Sequence, residues 1–519
     1  MIIKRDSLNL TKLFGKDRAQ EDENLQHYFI KTRQYDEIKR GDKELVLGRK
    51  GAGKSALFSI LAKEAEESDD TIPVKISFDG EDFVYIENWL NSHNFSEPLN
   101  DDFKYSLAWK NFILNEIIYS SIPYIEFFDD TLKSKLVKDG VLSDNSWKRF
   151  ATAIFNVFKG GKLQSSFGEV ELDFTSLTSL SLQDKEKLKE ELTNLIKNNT
   201  FSIVIDNLDE PWKNNDNMNA WLRGLIFSIR QLKREYNNLK IIAFLRTDIY
   251  EIISKGSDLF DSKSEITTIS WDDNNFFSLK QLVAARIAYY LEEPMPTNFK
   301  DINKYWNMFY PRNLYYNKKP SYLNNYIITR TFQRPRELLQ FCRLILECGK
   351  KTYLPIEENA VAPAEIQFSN WKLIDLVGEY SKTCKNIDKC ILSFVGVSKK
   401  WDWDCDSLVR HIDRIDETEK IHDAITNQIY STKETIAFLY QIGFFRKVIR
   451  EPGKRIKYRM YYEDDTINYQ KSIFDIHPAF RKNLLIHNLG ITVNTKSRKV
   501  HCLCRCPALC LFRRQSLFY

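Results

Sequence analysis

No stretch of this 519-residue chain approaches 18 consecutive apolar residues, so a helix crossing a membrane is not expected. The opening Met-Ile-Ile-Lys-Arg-Asp-Ser is followed by no apolar core of the signal-peptide kind, and a cytoplasmic location is expected. Histidine is scarce: there are seven, and none falls into a His/Cys or Ser/His/Asp pattern with useful local spacing. His477 reads as a buried structural residue rather than a ligand. Cys342, Cys348, Cys384, Cys390 and Cys405 are scattered, as small core thiols of a cytosolic protein are. An excess of charge is missing as well. The formal net charge of +5 comes from residues 488–519, which hold six Lys/Arg and no acid; the rest has 70 basic and 71 acidic residues. The main body therefore offers no global case for nucleic-acid binding. No nuclease, protease or other effector motif is visible.

What the chain does have is Gly48-Arg-Lys-Gly-Ala-Gly-Lys54-Ser55, a G-x-x-x-x-G-K-[ST] phosphate-loop pattern. Chance supplies on the order of 0.02 such matches in a chain of this length. Gly48, Gly51 and Gly53 are expected to let the backbone turn so that N–H groups face phosphate oxygens. The helix beginning near Lys54 adds its dipole, with Ala52 and Ala56 inside the same loop-to-helix junction. Lys54 can reach the β- and γ-phosphates, and the Ser55 hydroxyl is the expected Mg²⁺ ligand. Glu44-Leu-Val-Leu47 before the loop suits a buried strand, and the residues from Ser55 to Lys63 have helical spacing.

A loop of this kind needs an acid on a neighbouring strand to hold the hydrated Mg²⁺. Phe201-Ser-Ile-Val-Ile-Asp206-Asn-Leu-Asp209-Glu210 supplies an apolar strand ending in carboxylates, as expected where ligands meet the C-terminal edge of an open α/β sheet. Asp206 is the candidate for the Mg²⁺ sphere; Asp209 or Glu210 can orient or deprotonate water. The bland alternative is a helix-capping Asp. A third strand, Leu239 to Leu245, leads to Arg246-Thr247-Asp248; Arg246 either senses the γ-phosphate or pairs with Asp248. Pro73 to Phe78 and Ile266 to Trp271 read as further strands.

The acidic strand resembles that of the STAND signalling ATPases, NACHT modules included, and Arg246 after the next strand is similar to that group. The string from Leu45 to Leu57 resembles a bacterial family of P-loop ATPases labelled FunZ-like. Arg334-Pro335-Arg336-Glu337 resembles the "sensor 2" helix start of AAA+ and Orc/Cdc6-like ATPases, which implies that Arg336 reaches the γ-phosphate from a helical lid. Two departures stand out. Asn207 occupies the place where many such ATPases carry a catalytic Glu, and Arg334 stands where related lids often have Gly. The resemblance implies an α/β P-loop NTPase core of ASCE/AAA+-like type, a parallel sheet flanked by helices, with a helical lid and a C-terminal winged-helix-like domain. ATP and Mg²⁺ are the implied cofactors.

The expected layout is a helical lead-in over 1–40, a core over 41–271 with a helical insertion at about 84–181, a lid over 272–360, a winged-helix-like domain over 361–487 and an atypical tail over 488–519. In the lead-in, Tyr28, Phe29 and Tyr35 either stack on a base or pack on the sheet. Phe103 to Ile117 reads as an amphipathic helix, residues 159–181 as a loop or hairpin, and Ile374 to Val395 as one helix. After Gly443 a hairpin carries Arg446, Lys447, Arg450, Lys454, Arg455, Lys457 and Arg459 against one acid, Glu451. It is either a phosphate-contacting wing on DNA or a solvated edge protected by charge. Cys502, Cys504, Cys506 and Cys510 in the tail lack paired C-x₂-C spacing, so a zinc site is the weaker reading beside an altered reading frame or a disordered extension.

Three functions remain open at this stage: an ATP-dependent switch acting in bacterial signalling or phage defence through a protein effector or sensor partner, an ATP-controlled DNA-binding protein, and a nucleotide-stabilised scaffold without turnover. The sequence leaves an ATP-dependent oligomer open too.

Overall fold

The computed structural model describes residues 3–16, 18–78, 81–82, 84–86, 88, 101–124, 129–159, 179–210, 212, 214–255, 264–271, 276–316, 319–396, 402–453 and 456–484. Apolar runs with β-branched residues make five strands: β1 (Leu45–Leu47), β2 (Thr71–Ser77), β3 (Thr200–Asp206), β4 (Leu239–Leu245) and β5 (Ile266–Thr268). They form one sheet in the order β2-β3-β4-β1-β5, every pair parallel. The central strands β1, β3 and β4 are short and largely buried on both faces, as parallel strands covered by crossover helices are. One expectation is corrected here. The acidic strand β3 does not neighbour β1, because β4 lies between them. Strand order is set by long crossovers, which a local apolar run does not encode.

The sheet separates two cores. On one face, alternate residues such as Leu45, Ile203 and Ile241 pack with α2 (Asp102–Ser121), α3 (Ser146–Lys159) and α4 (Asp216–Glu235). On the other, Val46, Val204 and Phe244 join α1 (Lys54–Glu66), the N-terminal residues Leu13, Phe14, Leu25 and Tyr28, and the helices α5 (Phe277–Tyr290), α6 (Pro335–Cys348) and α7 (Val361–Tyr380). That second core runs on without a break into the C-terminal sheet through Phe332, Phe444, Phe474 and Phe480.

Helix α2 corrects the amphipathic reading of Phe103 to Ile117. It is buried nearly all round, with Tyr105 through Lys110 and Phe112 through Ile118 out of solvent. Its apolar stripe faces α4, and its polar stripe is buried too, because Lys110 Nζ pairs with Glu235 at 2.7 Å and Glu116 takes two hydrogen bonds from Arg149 at 2.6 and 2.8 Å. The single helix expected over Ile374–Val395 is broken. α7 stops at Tyr380, Cys384–Lys385 pairs as a short strand, Asn386 turns at φ 61°, and Ile387–Leu392 restarts the helix. Helix α7 instead begins at Val361, ahead of the expected start.

The last third holds helices and a four-stranded antiparallel sheet. Its strands are β6 (Asp402–Asp404), β7 (Phe445–Ile449), β8 (Lys457–Arg459) and β9 (Ile473–Ile476), in the order β8-β7-β9-β6. The β7–β8 hairpin is where the sequence placed it. His477 is buried beside β9, its Nδ1 accepting the Ala479 N–H at 3.2 Å, and burial together with nearby cations holds it well below the ordinary histidine value. Among the described residues no helix is long and apolar enough to cross a membrane, and no cluster of His, Cys, Asp and Glu could hold a metal ion by itself. Most of the 159–181 segment, Lys454, Arg455 and the tail from residue 485, with its cysteines, lie outside the described residues.

Candidate functional site

Parallel strands bring their C-terminal ends to one edge, so the segment after β1, the acid ending β3 and the turn after β4 meet there. After β1 the chain turns through Gly51 at φ 78° and Gly53 at φ 106°, conformations that L side chains rarely adopt. Gly48 is needed for a different reason than expected: its backbone is not left-handed, but a Cβ there would lie 3.1 Å from Lys54 Cγ and 3.4 Å from Ala52 Cβ. The Gly48 N–H bonds the Leu245 carbonyl at 3.1 Å and the Ala52 N–H bonds the Arg49 carbonyl at 3.1 Å, which fixes the loop's ends. Trp271, just beyond β5, donates its indole N–H to the Ala52 carbonyl at 2.9 Å.

Helix α1 starts at Lys54 behind Gly53, and no side chain caps it. Its first-turn N–H groups, those of Lys54, Ser55 and Ala56, lack helical acceptors by geometry and line a cavity of about 760 Å³. Lys54 is buried, and its Nζ donates to the Gly48 carbonyl at 3.1 Å and sits 4.0 Å from Asp209. An ammonium held by one carbonyl and one distant carboxylate has donors left for a ligand.

Asp206 ends β3 with 1% of its surface exposed, and its Oδ2 has no hydrogen-bond partner. Burial pushes its carboxyl above the ordinary aspartate value, helped by the charge of Asp209; the Asn207 N–H, the Lys54 charge and the Ser55 hydroxyl pull the other way without prevailing. A carboxylate oxygen buried without a partner fits a cation ligand, since hard divalent cations take carboxylate and hydroxyl oxygens. The Ser55 hydroxyl is near the same carboxylate and pulls against its protonation, so the oxygens a cation could take here are one carboxylate and one hydroxyl. Asp209 is half-buried and Glu210 exposed at the cavity mouth. Asn207 adopts φ 61° and donates from Nδ2 to Ser77 Oγ at 2.8 Å, tying β3 to β2 rather than offering a base.

Of the two candidate arginines, Arg336 is at the loop and Arg246 is engaged elsewhere. Arg336 is the second residue of α6; a Cβ added at Gly51 would lie 3.3 Å from Arg336 Cβ. Its guanidinium is partly exposed over Trp371 and 3.4 Å from Asp375. Arg246 bonds Asp248 through Nε at 3.0 Å and through Nη2 at 2.5 Å, with Glu379 at 3.7 Å. Burial opposes its charge, yet those carboxylates hold it protonated. The pairing alternative therefore describes Arg246 as the structure has it, and its partner Asp248 in turn lies within the field of Lys54.

Sequence reasoning passed over several contacts. Arg334 Nη1 donates to the Lys50 carbonyl at 3.0 Å, so the residue noted only as a departure fastens α6 to the loop. Lys50 Nζ reaches Asp375 at 3.1 Å, bringing in α7. Arg49 stacks at 4.4 Å on Tyr462, and Lys382 donates to the Glu210 carbonyl, so the C-terminal third touches both candidate loops. Tyr28 and Tyr35 are packing residues, with hydroxyls bonded to Asp22 and Glu64 at 2.6 Å. Arg286 lines the same cavity from α5; an arginine inside the apolar run Leu282-Val-Ala-Ala-Arg286-Ile-Ala288 was a readable signal.

The basic hairpin is less free than its composition promised. Arg446 bonds buried Asp475 at 2.6 Å, Lys447 bonds Asp464 at 2.8 Å, and Arg450 bonds Asp402 at 2.6 Å. Lys457 and Arg459 on β8 are exposed.

Compared with known proteins, residues 278–377 match the model of the FunZ-associated C-terminal helical domain. That stretch runs from the start of α5 through α6 into the last turn of α7, the helices that meet the loop. The chain is also 22% identical, over 291 residues, to a protein of Escherichia coli (strain K12) named for the gamma-delta transposon and of 80.3 kDa. The match covers 51% of this chain and 38% of that relative, so the chain spans well under two thirds of its length.

Proposed function

We propose that this chain is an ATP-binding P-loop ATPase of FunZ-like kind, related to STAND and AAA+ ATPases, that works as a nucleotide-dependent switch. The observation that carries this is an uncapped helix N-terminus, bearing buried Lys54, that opens on a cavity also lined by Asn207 and Glu210, with the unpartnered, buried Asp206 oxygen beneath it within the field of Lys54. In this reading Gly48, Gly51, Ala52, Gly53, Lys54, Ser55 and Ala56 form the phosphate cradle, and Ser55 and Asp206 hold Mg²⁺. Bound Mg²⁺ would supply charge neutralisation for a transferring phosphoryl group. Lys54 and the first-turn N–H groups orient the phosphates; Asp209 or Glu210 positions water; Arg336 reads the γ-phosphate from α6. Arg246 serves as a positioning residue through Asp248.

Slow or partner-stimulated turnover follows from Asn207, whose amide is committed to Ser77. Output is proposed to travel through α6 and α7 to the C-terminal helices and sheet, read as winged-helix-like, because Arg334, Lys50, Arg49 and Lys382 tie that region to the loops. A cytoplasmic role in bacterial signalling or phage defence, with an effector or sensor protein as partner and ATP-dependent assembly, completes the reading. The transposon-named relative is compatible with work near mobile DNA. ATP-controlled DNA binding ranks second, since three cations of the wing are already paired. A scaffold without turnover ranks third.

The test is titration of the purified chain with Mg·ATP, followed by phosphate release alone and with proteins copurified from the native host. Micromolar binding with slow, partner-stimulated release is expected. Absence of ATP binding to the folded protein sinks the proposal.

A further inference from the structure

The cavity extends past the phosphate loop to a wall made by Phe14, Leu25 and Leu339, and Arg286 of α5 lines it too. Arg286 has 8% of its surface exposed, and its Nε has no hydrogen-bond partner. Its guanidinium lies 4.2 Å from the centre of the Tyr28 ring, within the field of Asp22. Asp22 is turned toward the Tyr28 hydroxyl, 2.6 Å from each carboxylate oxygen, and acts on Arg286 through its charge rather than through a hydrogen bond to Nε. A buried guanidinium stacked on an aromatic face, with a donor unsatisfied, is costly unless a ligand completes it. The apolar wall suits a flat ring, and the phosphate positions are already provided at the loop.

We infer that Arg286 reads a hydrogen-bond acceptor on the nucleobase of the nucleotide whose phosphates the loop holds, and so sets base selectivity. This rests on the nucleotide reading above, of which it keeps the phosphate site and revises the base, since the donors of Arg286 favour guanine over the adenine named there. The chemistry follows from donor geometry. Guanidinium has donors only, and it meets O6 and N7 of guanine together, but N7 alone of adenine beside the N6 donor. A glutamine carries one donor and one acceptor and matches adenine N6 and N7 instead.

The experiment compares Mg·ATP, Mg·GTP and inorganic tripolyphosphate by calorimetry on wild type, Arg286→Gln and Arg286→Lys. Arg286→Gln is expected to move the ATP-to-GTP affinity ratio about tenfold toward ATP, with tripolyphosphate binding within about twofold of wild type. Arg286→Lys keeps the cation over Tyr28, guards against a folding defect, and is expected to lose about tenfold for nucleotides only. An unchanged ratio in the folded variants, or a parallel loss for nucleotides and tripolyphosphate, overturns the inference. Wild type that binds tripolyphosphate as tightly as either nucleotide also overturns it while leaving the phosphate site standing. Wild type that binds none of the three removes the nucleotide reading itself.

Discussion

On the insertion face of the sheet, Arg149 meets Glu116 through two hydrogen bonds at 2.6 and 2.8 Å, and both side chains are almost wholly buried. At the strand-end edge, Asp206 is just as deeply buried, yet one of its oxygens is reached by nothing. The same free-energy penalty for burying charge is met internally in one place and left open in the other. The contrast separates an ion pair closed within the fold from a group that the proposed function assigns to a ligand. The C-terminal hairpin falls on the structural side, since Arg446, Lys447 and Arg450 each find an acid within 2.8 Å.

Breaking the closed pair gives the largest expected effect. Arg149→Met leaves Glu116 buried without its cation and is expected to cost about 3–5 kcal/mol in urea unfolding. The double variant Arg149→Met, Glu116→Leu is expected to recover most of that, because the uncompensated charge is gone. A single variant within about 1 kcal/mol of wild type contradicts the assignment of this pair to the structural class.

The open edge is expected to respond in the opposite sense. Lys54→Ala removes a charged donor whose only close partner among the described residues is the Gly48 carbonyl at 3.1 Å. Calorimetry with Mg·ATP is expected to show a loss of about 100-fold, the worth of a charge-assisted hydrogen bond or two. The unfolding midpoint of the nucleotide-free protein should barely move. A large stability loss with unchanged affinity would place Lys54 beside Arg149 instead.

Which of these residues the sequence exposed follows from the range of the forces. Gly51 and Gly53 were legible because a left-handed backbone selects glycine locally, and β1, β3 and β4 because their apolar runs are contiguous. Asp206 was legible as an acid ending such a run. The place of β4 between β1 and β3 was not, since it depends on pairing across long crossovers. Arg246 admitted two readings from its spacing to Asp248, and the second partner that favours pairing, Glu379, is far along the chain. Arg334 and Arg286 act on Lys50 and the Tyr28 ring, contacts that no local pattern encodes. Helix α2 misled because its polar stripe is buried by distant partners, Glu235 and Arg149.

A smaller effect sharpens the contrast through pH. The folded-state pKa of Asp206 is raised by burial, so the folded protein binds the proton more tightly than the unfolded chain. Ionisation therefore subtracts stability as pH rises from the ordinary aspartate range through the folded value. Asp206→Asn removes that loss, and the nucleotide-free variant is expected to gain about 1 kcal/mol at neutral pH. The gain should vanish below the ordinary aspartate range, where the wild-type carboxyl is neutral in both states. Mg²⁺ should no longer strengthen nucleotide binding. A variant less stable than wild type at neutral pH would show the Asp206 carboxylate to be held by partners, as Arg149 holds Glu116.

The smallest effect is expected on the hairpin. Lys457 and Arg459 are exposed on β8, while their neighbours Arg446, Lys447 and Arg450 are consumed by acids. If that surface held a nucleic-acid backbone, reversing both charges with Lys457→Glu and Arg459→Glu would lower the slope of log affinity against log salt by about 2, near 0.9 per lost phosphate contact. With three of the five described cations paired to acids, the slope for duplex DNA is expected to change by less than about 0.5, below one lost contact. Mg·ATP affinity should be unchanged. A shift near 2 would move the hairpin from the closed class of charge to the open one and bring ATP-controlled DNA binding ahead of the switch, because a surface that keeps its cations for phosphate is arranged for a ligand in the same sense as the edge around Asp206.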